Sequence, residues 1–506
     1  MSLRRLPPQQ LLPSPQIIRW LRPILVVGVL ILSACIGYRP PPIPLFLLAG
    51  GLAAILIALF AFQSMTTMLT VLVATAALLD VSLSTGTMST VHFSLLLVII
   101  YTAVWVLRMA LNKELRLTPC VANRPLLLFN LAFLVSWIAG YAVWKPTVPR
   151  PDSAFTVQAG QVAMFLLSTA AFFLAANHSL REKDVKRWSS LIMIFGVGVV
   201  TAELIQRLVT GWSTRLPGIS GAILMWPFVL LWAQLLFNPN LPRRLRTTGW
   251  LSLLLWGIWV WLQYLPWKGG WVPALLALGI MVMLRFRRRF LLFAIPAAVA
   301  LLLILTPSST PDITIASSDR TGAAVLSSVI TTEQQSGSFL RFPIWYDILR
   351  MTARSPILGL GPANYMYYWH DPAFDSYSLA NSPNWRAWSY IGYAPPSHNM
   401  FVDVLAQAGA LGLGLFLWAV IALSLVANQA RQRLPVGFLQ SYAYGVLAGF
   451  LALLVASFAF ADWLIPFVYN ITIKGFQHSA YSWLLLGSLV PLTQHYGSTN
   501  QAQENP

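Results

Sequence analysis

The chain has 506 residues, of which 57% are hydrophobic and only 9% are charged, and its mean hydropathy is +0.68. Soluble domains carry about 25% charged residues, so this composition excludes a soluble enzyme, and the abundance of apolar residues excludes a disordered chain. The net charge of +18 does not indicate a nucleic-acid partner, because the basic residues stand in short clusters between apolar runs, as they do in membrane proteins.

Apolar runs of about 20 residues, long enough to cross a bilayer, recur along the chain. They predict an all-α polytopic integral membrane protein with about 14 transmembrane helices, or about 12 at the lower limit. The predicted spans cover residues 17–38, 43–62, 65–82, 91–110, 125–143, 156–176, 188–206, 219–237, 249–265, 269–284, 289–306, 409–427, 437–460 and 476–491.

The distribution of lysine and arginine sets the predicted orientation. With the N-terminus in the cytoplasm, the strongest basic clusters all fall on the cytoplasmic side, as the positive-inside rule requires. Residues 1–306 then hold the first eleven spans, residues 307–398 form one long outward-facing loop with short helices, and residues 399–506 hold the last three spans and a cytoplasmic tail.

No metal or nucleotide motif stands out. The six histidines are scattered, the chain has no Cys-x-x-Cys pair, the outer-loop carboxylates form no Asp-x-Asp pair, and no phosphate-binding glycine loop follows a strand. The sequence therefore predicts chemistry with neither a metal nor another cofactor.

Several cations lie on the outer side, where positive residues are disfavoured. They are Arg207, Arg215, Lys268 and Arg341. Any one of them alone fits a residue that faces solvent or lipid headgroups. Together they indicate an anion site, since arginine forks bind phosphate oxygens in pairs.

The segment 341–354 has helical spacing, with Arg341, Trp345, Ile348 and Thr352 on one stripe. Ser355-Pro356 should end this helix, because the residue before proline avoids the α region. Gly359 and Gly361 follow, and they predict a tight turn or a close backbone approach.

The strongest local pattern is Pro395-Pro396-Ser397-His398-Asn399. Ser397 or Asn399 can cap the helix that follows, which would hold His398 at the outer mouth of a span. Gly409 and Gly412 would let another helix pack closely. A neutral imidazole can take a proton from a sugar hydroxyl. The alternative is a structural histidine that bonds to a backbone carbonyl.

These motifs resemble the signature of bacterial O-antigen ligases, whose superfamily includes O-antigen polymerases and related surface-polysaccharide ligases. The resemblance rests on His398-Asn399 followed by Gly409-x-x-Gly412, on Arg341-x-x-x-Trp345, on Gly359-x-Gly361, and on Arg215-x-x-Gly218. Where the family often carries Ser-Arg-Gly, this chain has Trp267-Lys268-Gly269, which keeps the charge but loses the arginine fork.

The resemblance implies an inverting, metal-independent glycosyltransferase that moves a glycan from undecaprenyl diphosphate to an acceptor hydroxyl on the outer face of the bacterial cytoplasmic membrane. His398 would be the general base, and Arg215, Arg341 and Lys268 would bind the diphosphate. Asn399, Gly409, Gly412, Gly359, Gly361 and Trp345 would support the site. Possible substrate contacts are Asp347, Tyr365 and Arg207.

Four alternatives remain at this point. Two are a non-catalytic membrane scaffold or polysaccharide chain-length factor, and a peptidoglycan polymerase that would rely on an outer-loop aspartate such as Asp347; the other two are closer to the resemblance or to the span count. A surface-polysaccharide polymerase would use the same donor with a growing chain as acceptor. A flippase for lipid-linked oligosaccharides shares the span count and the need for cations, but it also predicts a basic central cavity and internal symmetry, neither of which is clear in the sequence.

Overall fold

The structure is a computed structural model. It describes residues 64–78, 82–84, 90–113, 116–210, 222–264, 268–286, 342–375, 396–459, 463–468 and 475–504. The chain divides into two compact units, Met1–Ser64 and Met65–Pro506, and the described helices and strands belong to the second. The predicted spans at 17–38, 43–62 and 289–306 lie outside the described residues.

The described elements are almost all helical. Helices α1–α8 are Met65–Leu78, Phe93–Leu111, Asn123–Ala142, Ala154–Ala176, Glu182–Thr210, Ala222–Phe237, Arg243–Trp259 and Lys268–Arg285, and a π-helical turn, Val260–Tyr264, continues α7. Helices α9–α13 are Phe342–Thr352, Tyr365–Tyr368, Met400–Arg433, Phe438–Ala459 and Phe476–Glu504.

Among the described residues, six helices are long and apolar enough to cross a membrane. They are α2, α3, α4, α5, α11 and the Phe438–Phe458 part of α12. This agrees with a helical multi-pass protein, whereas the number of about 14 spans stays a prediction. The last helix runs to Glu504, beyond the predicted end at 491, because hydropathy marks where a helix leaves the apolar layer and not where the helix stops.

A short hairpin departs from the all-α prediction. Strand β1, Ser82–Ser84, pairs antiparallel with β2, Thr90–His92, and Leu83 lies opposite Val91. The helix predicted over 65–82 therefore ends earlier, at Leu78. The next helix begins after His92, whose ring nitrogen accepts a hydrogen bond from the Ser94 amide at 3.2 Å, so this histidine acts as an N-cap.

Helix α11 packs against α3, α9, α12 and α13, and α12 also contacts α6 and α8. Phenylalanines fill the space between α3, α4 and α11: the rings of Phe133 and Phe165 stack at 3.6 Å, and Phe129 contacts Phe416 at 5.4 Å. Apolar side chains such as Ile138 and Ile194 face outward and are more than two-thirds exposed. An outer surface of this kind suits contact with lipid.

Candidate active site

Helix α11 is broken near its N-terminal end. Gly409 has a φ of +65° and ψ of −168°, so Met400–Ala408 and Ala410–Arg433 are separate helical segments of α11. A break removes helical hydrogen bonds on both sides, and the freed backbone groups need new partners when they are buried. The segment 355–364, which we call the glycine loop, provides them.

The glycine loop satisfies both ends of the break. The Leu360 and Gly361 amides donate to the carbonyls of Ala406 and Gln407 at 2.8 and 3.0 Å, and the Ala410 and Leu411 amides donate to the carbonyls of Pro356 and Ile357 at 2.8 and 3.1 Å. The loop thus replaces the missing turn of the helix. It fixes the short segment Met400–Ala408 against the rest of α11.

The predicted tight turn at Gly359 and Gly361 is observed. Both have positive φ, +72° and +97°, and a Cβ on Gly359 would lie 2.5 Å from the Gln407 carbonyl carbon. The expectation for Gly409 and Gly412 needs correction, because the atoms nearest to an added Cβ belong to the glycine loop at Gly409 and to the same helix at Gly412. A Cβ on Gly409 would meet the Ile357 oxygen at 2.2 Å, and one on Gly412 would meet Ala408 of the same helix.

Buried side chains of α3 and α4 hold the glycine loop. Ser136 donates to the Gln407 carbonyl, and the Gln407 side-chain oxygen accepts from the Ala363 amide at 3.1 Å. Gln158 donates to the Asn364 side chain at 2.6 Å, which itself donates to the Leu360 carbonyl at 2.8 Å. Each of these polar side chains is at most 1% exposed, so the network is protected from water and specifies one loop position.

His398 stands at the start of the short segment. Its φ is +49°, a conformation that is uncommon for a residue other than glycine and that persists only where the surroundings enforce it. The neighbouring side chains enforce it: the Ser397 hydroxyl accepts from the Asn399 amide at 2.9 Å, and the Asn399 side chain caps the helix by accepting from the Phe401 and Val402 amides. Both neighbours are buried, whereas His398 is partly exposed.

Trp345 ties helix α9 to this histidine. The helix spans Phe342–Thr352 and buries Trp345, Ile348 and Thr352, as the spacing predicts. The indole nitrogen of Trp345 donates to the carbonyl of Ser397 at 2.8 Å, and this bond fixes the peptide next to His398.

We expect Trp345→Phe to lower, several-fold, the glycan transfer that the resemblance implies, because the variant loosens the His398 backbone. The ring remains, but the buried Ser397 carbonyl loses its donor, which costs about 1–3 kcal/mol. Initial rates at saturating and limiting donor would measure the effect, which should fall on kcat more than on KM. Tyr346→Phe removes a polar group from an exposed ring of the same helix and serves as the control. Equal activity of Trp345→Phe and wild type would contradict the positioning role.

Asp371 connects the end of the α10 region to the loop after α3. Its carboxylate contacts Lys145 at 2.7 Å, Thr147 at 2.9 Å and Arg354 at 3.4 Å. Burial raises the pKa of this carboxyl, but hydrogen bonds from Lys145, the Ala373 amide and Thr147 outweigh that effect and hold the pKa at about 2. Because these contacts engage both carboxylate oxygens, Asp371 has a structural role: it joins the α10 region to the loop after α3.

The low pKa of Asp371 predicts a dependence of stability on pH. Its ordinary value is 3.8 and its value in the fold is about 2, so its stabilising effect is present above pH 4 and is lost as the pH falls through about 2. The melting temperature of wild type, measured between pH 2 and 6, should fall as Asp371 is protonated. Asp371→Asn should not show this fall, and it should melt at a lower temperature than wild type at pH 7. Asp375→Asn, an exposed neighbour, should behave like wild type; identical pH profiles of the Asp371 variant and wild type would refute the assignment.

The remaining predicted site residues are spread over the structure. Arg215 and Arg341 lie outside the described residues, and Lys268 is the first residue of α8. Arg207 donates to the Leu262 carbonyl in the π-helical turn. Asp347 and Tyr365 have no exposed surface, and Asp347 lies 3.7 Å from Arg350. Their contact with substrate therefore stays a prediction.

Two residues of the site were not predicted. Asp403 is fully buried in the first segment of α11, and Gln407 joins that segment to the glycine loop. A signal for Asp403 exists in the sequence, since ionisable residues inside apolar helices are rare and are usually functional. Within the described residues, no group of three His, Cys, Asp or Glu side chains is arranged to hold a metal ion.

The apolar helices, the broken α11 and its buried polar network define a multi-pass membrane protein with an irregular site at one end of the helices. The model of the O-antigen ligase family matches residues 245–417. The match supports the O-antigen ligase/polymerase superfamily for this part of the chain. The matched range contains His398, Trp345 and the glycine loop, whereas Arg207 and Arg215 precede it. Among curated proteins, none matches this chain.

The family match supports glycosyltransferase activity of the ligase or polymerase type. It also implies lipid-linked glycan substrates and a membrane environment. The match begins within α7, so Ser136 of α3 and Gln158 of α4 lie outside the matched range although they hold the glycine loop inside it.

Proposed function

We propose that this protein is an O-antigen ligase-like, inverting glycosyltransferase of the bacterial inner membrane, with His398 as its general base. The observation that carries the proposal is the backbone conformation and partial exposure of His398. It is a partly exposed histidine in a left-handed conformation between two buried residues, within the range matched by the ligase family.

In the proposed reaction, the acceptor hydroxyl gives its proton to the His398 imidazole while its oxygen attacks the anomeric carbon of the donor sugar. The bond between that carbon and the diphosphate oxygen breaks on the opposite face, which inverts the anomeric configuration. The electron pair leaves with undecaprenyl diphosphate. The lipid diphosphate bond supplies the energy, so neither a nucleotide nor a metal is part of the proposal.

The leaving diphosphate requires fixed positive charge more than it requires a proton. We assign this role to Arg215, Arg341 and Lys268, all on the predicted periplasmic side. Arg341 directly precedes α9 in the chain, and α9 is tied through Trp345 to the peptide beside His398. This connection supports a common site for the base and at least one phosphate-binding cation.

The test is donor turnover by the full chain in detergent, with an undecaprenyl-diphosphate-linked glycan, a chelator and candidate acceptors. We expect turnover in the presence of chelator. Arg341→Gln and Arg215→Gln should each lose about 100-fold or more, by analogy with the removal of one oxyanion donor. Arg150→Gln, an exposed arginine on the same predicted side, should retain activity. Loss of all turnover on chelation would contradict the metal-independent mechanism.

The product distinguishes the candidate activities. Transfer to a separate glycolipid or glycan gives a ligase, and elongation of the lipid-linked glycan gives a polymerase, which is the second candidate because the matched family model belongs to a superfamily that includes both. Intact donor that crosses a vesicle bilayer without cleavage would instead indicate a flippase.

A further inference from the structure

A cavity lies at the opposite end of α11 from His398. It has a volume of about 590 Å³, within the usual range for ligand sites, and lies between the start of α3, the last turns of α11 and the middle of α13. Since α11 has 34 residues and rises about 1.5 Å per residue, the cavity and His398 are at different ends of the bundle. On the predicted topology the cavity faces the cytoplasm.

Two arginines from different helices line this cavity. Arg124 belongs to the first turn of α3 and Arg433 ends α11. In the part of the chain that the structure describes, neither guanidinium has a hydrogen-bond or ion-pair partner, and no acidic residue lines the cavity. Two like charges that share one cavity without a counter-charge favour the binding of an anion.

The rest of the lining identifies the kind of anion. Val121, Val426 and Val490 form apolar walls, and the amide side chains of Gln429 and Gln494 add polar groups. The Gln494 amide already donates to the Pro119 carbonyl at 3.1 Å, which fixes one wall. A cavity with cations and apolar walls at helix ends suits a phosphodiester that continues into acyl chains. A soluble phosphate would use only the cations.

We propose that this cavity binds the headgroup of an anionic glycerophospholipid, with Arg124 and Arg433 on its phosphate. The lipid would bridge α3 and α11, the two helices that also frame the glycine loop at the other end. The inference does not depend on the proposed glycosyl transfer, because no residue of the cavity belongs to that site.

The experiment uses the full chain in a non-ionic detergent, titrated separately with phosphatidylglycerol, phosphatidylcholine and inorganic phosphate. Native mass spectrometry would count retained lipid, and melting curves would report stabilisation. We expect retention and stabilisation with phosphatidylglycerol only. The double variant Arg124→Gln/Arg433→Gln should bind it about 30-fold more weakly, on the basis of a roughly fivefold effect per arginine. Arg243→Gln/Arg244→Gln, exposed arginines on the same predicted side, should bind like wild type.

A second measurement keeps both arginines in place. Cys120 lines the cavity as a free thiol, and burial raises its pKa, so its alkylation at alkaline pH in a Cys35→Ser background should slow several-fold when phosphatidylglycerol is present. Unchanged labelling with this lipid would overturn the proposal. Equal binding of phosphatidylglycerol and phosphatidylcholine would also overturn it. The same holds if the double arginine variant binds phosphatidylglycerol as well as wild type does, or if inorganic phosphate protects Cys120 as strongly as phosphatidylglycerol.

Discussion

Replacing His398 by asparagine is expected to reduce glycan transfer by about 10²- to 10⁴-fold, the range that a general base contributes. Asparagine tolerates the left-handed backbone conformation that this position requires, so the Ser397 and Asn399 contacts should remain. The asparagine amide cannot take the proton from the hydroxyl of the acceptor. The measurement is single-turnover transfer from lipid-linked donor, together with a melting curve to establish that the variant is folded.

The matched control is His370→Asn. His370 is a partly exposed histidine of the same outer region and has no role in the proposed chemistry, so its variant should transfer at the wild-type rate. Donor binding by the His398 variant should persist, since the diphosphate contacts are assigned to other residues. Full turnover by folded His398→Asn would show that this histidine is structural and that another group removes the proton.

Gly409→Ala is expected to have the largest effect on folding. An added Cβ would lie 2.2 Å from the Ile357 oxygen and 2.5 Å from the Gly359 amide nitrogen, and alanine disfavours a φ of +65°. Overlap and backbone strain together should cost about 3 kcal/mol or more. The break in α11 would then lose its bonds to the glycine loop. We expect a lower yield of folded protein, a melting temperature lower by several degrees, and no transfer.

Gly414→Ala provides the comparison within the same helix. A Cβ at Gly414 meets nothing within 4 Å, and alanine is the better helix former by about 1 kcal/mol. This variant should be as stable as wild type or slightly more stable. If both alanine variants melted alike, the contact between the glycine loop and the break would have little energetic importance.

The parts of the fold that were predictable depend on local pattern. Helices α3, α4 and α8 lie within a few residues of the apolar runs that predicted them, since apolar length determines a membrane helix. Helix ends were less accurate: α5 and α13 extend well beyond the predicted runs, because polar turns outside the apolar layer stay helical. The β1–β2 hairpin was missed, since three-residue strands are too short for a clear alternation.

In the candidate site, too, the features that depend on neighbouring residues were predictable and the long-range contacts were not. The cap at Asn399, the turn at Gly359 and Gly361, and the end of α9 before Pro356 were predictable, because each depends on neighbours in sequence. The partner of Gly409 was not, because Ile357 lies about 50 residues earlier and nothing local indicates that a loop, and not a helix, fills the space. Long-range hydrogen bonds such as Ser136 to Gln407 have no sequence signature at all.

The break in α11 also bears on the order in which the chain is assembled. Its freed carbonyls and amides would be costly in the bilayer without partners, yet the partners described above precede α11 in sequence: Ser136 in α3 and the glycine loop. During synthesis these elements leave the ribosome first. We therefore expect the broken helix to enter the membrane after the segments that bond to its freed backbone groups have been synthesised.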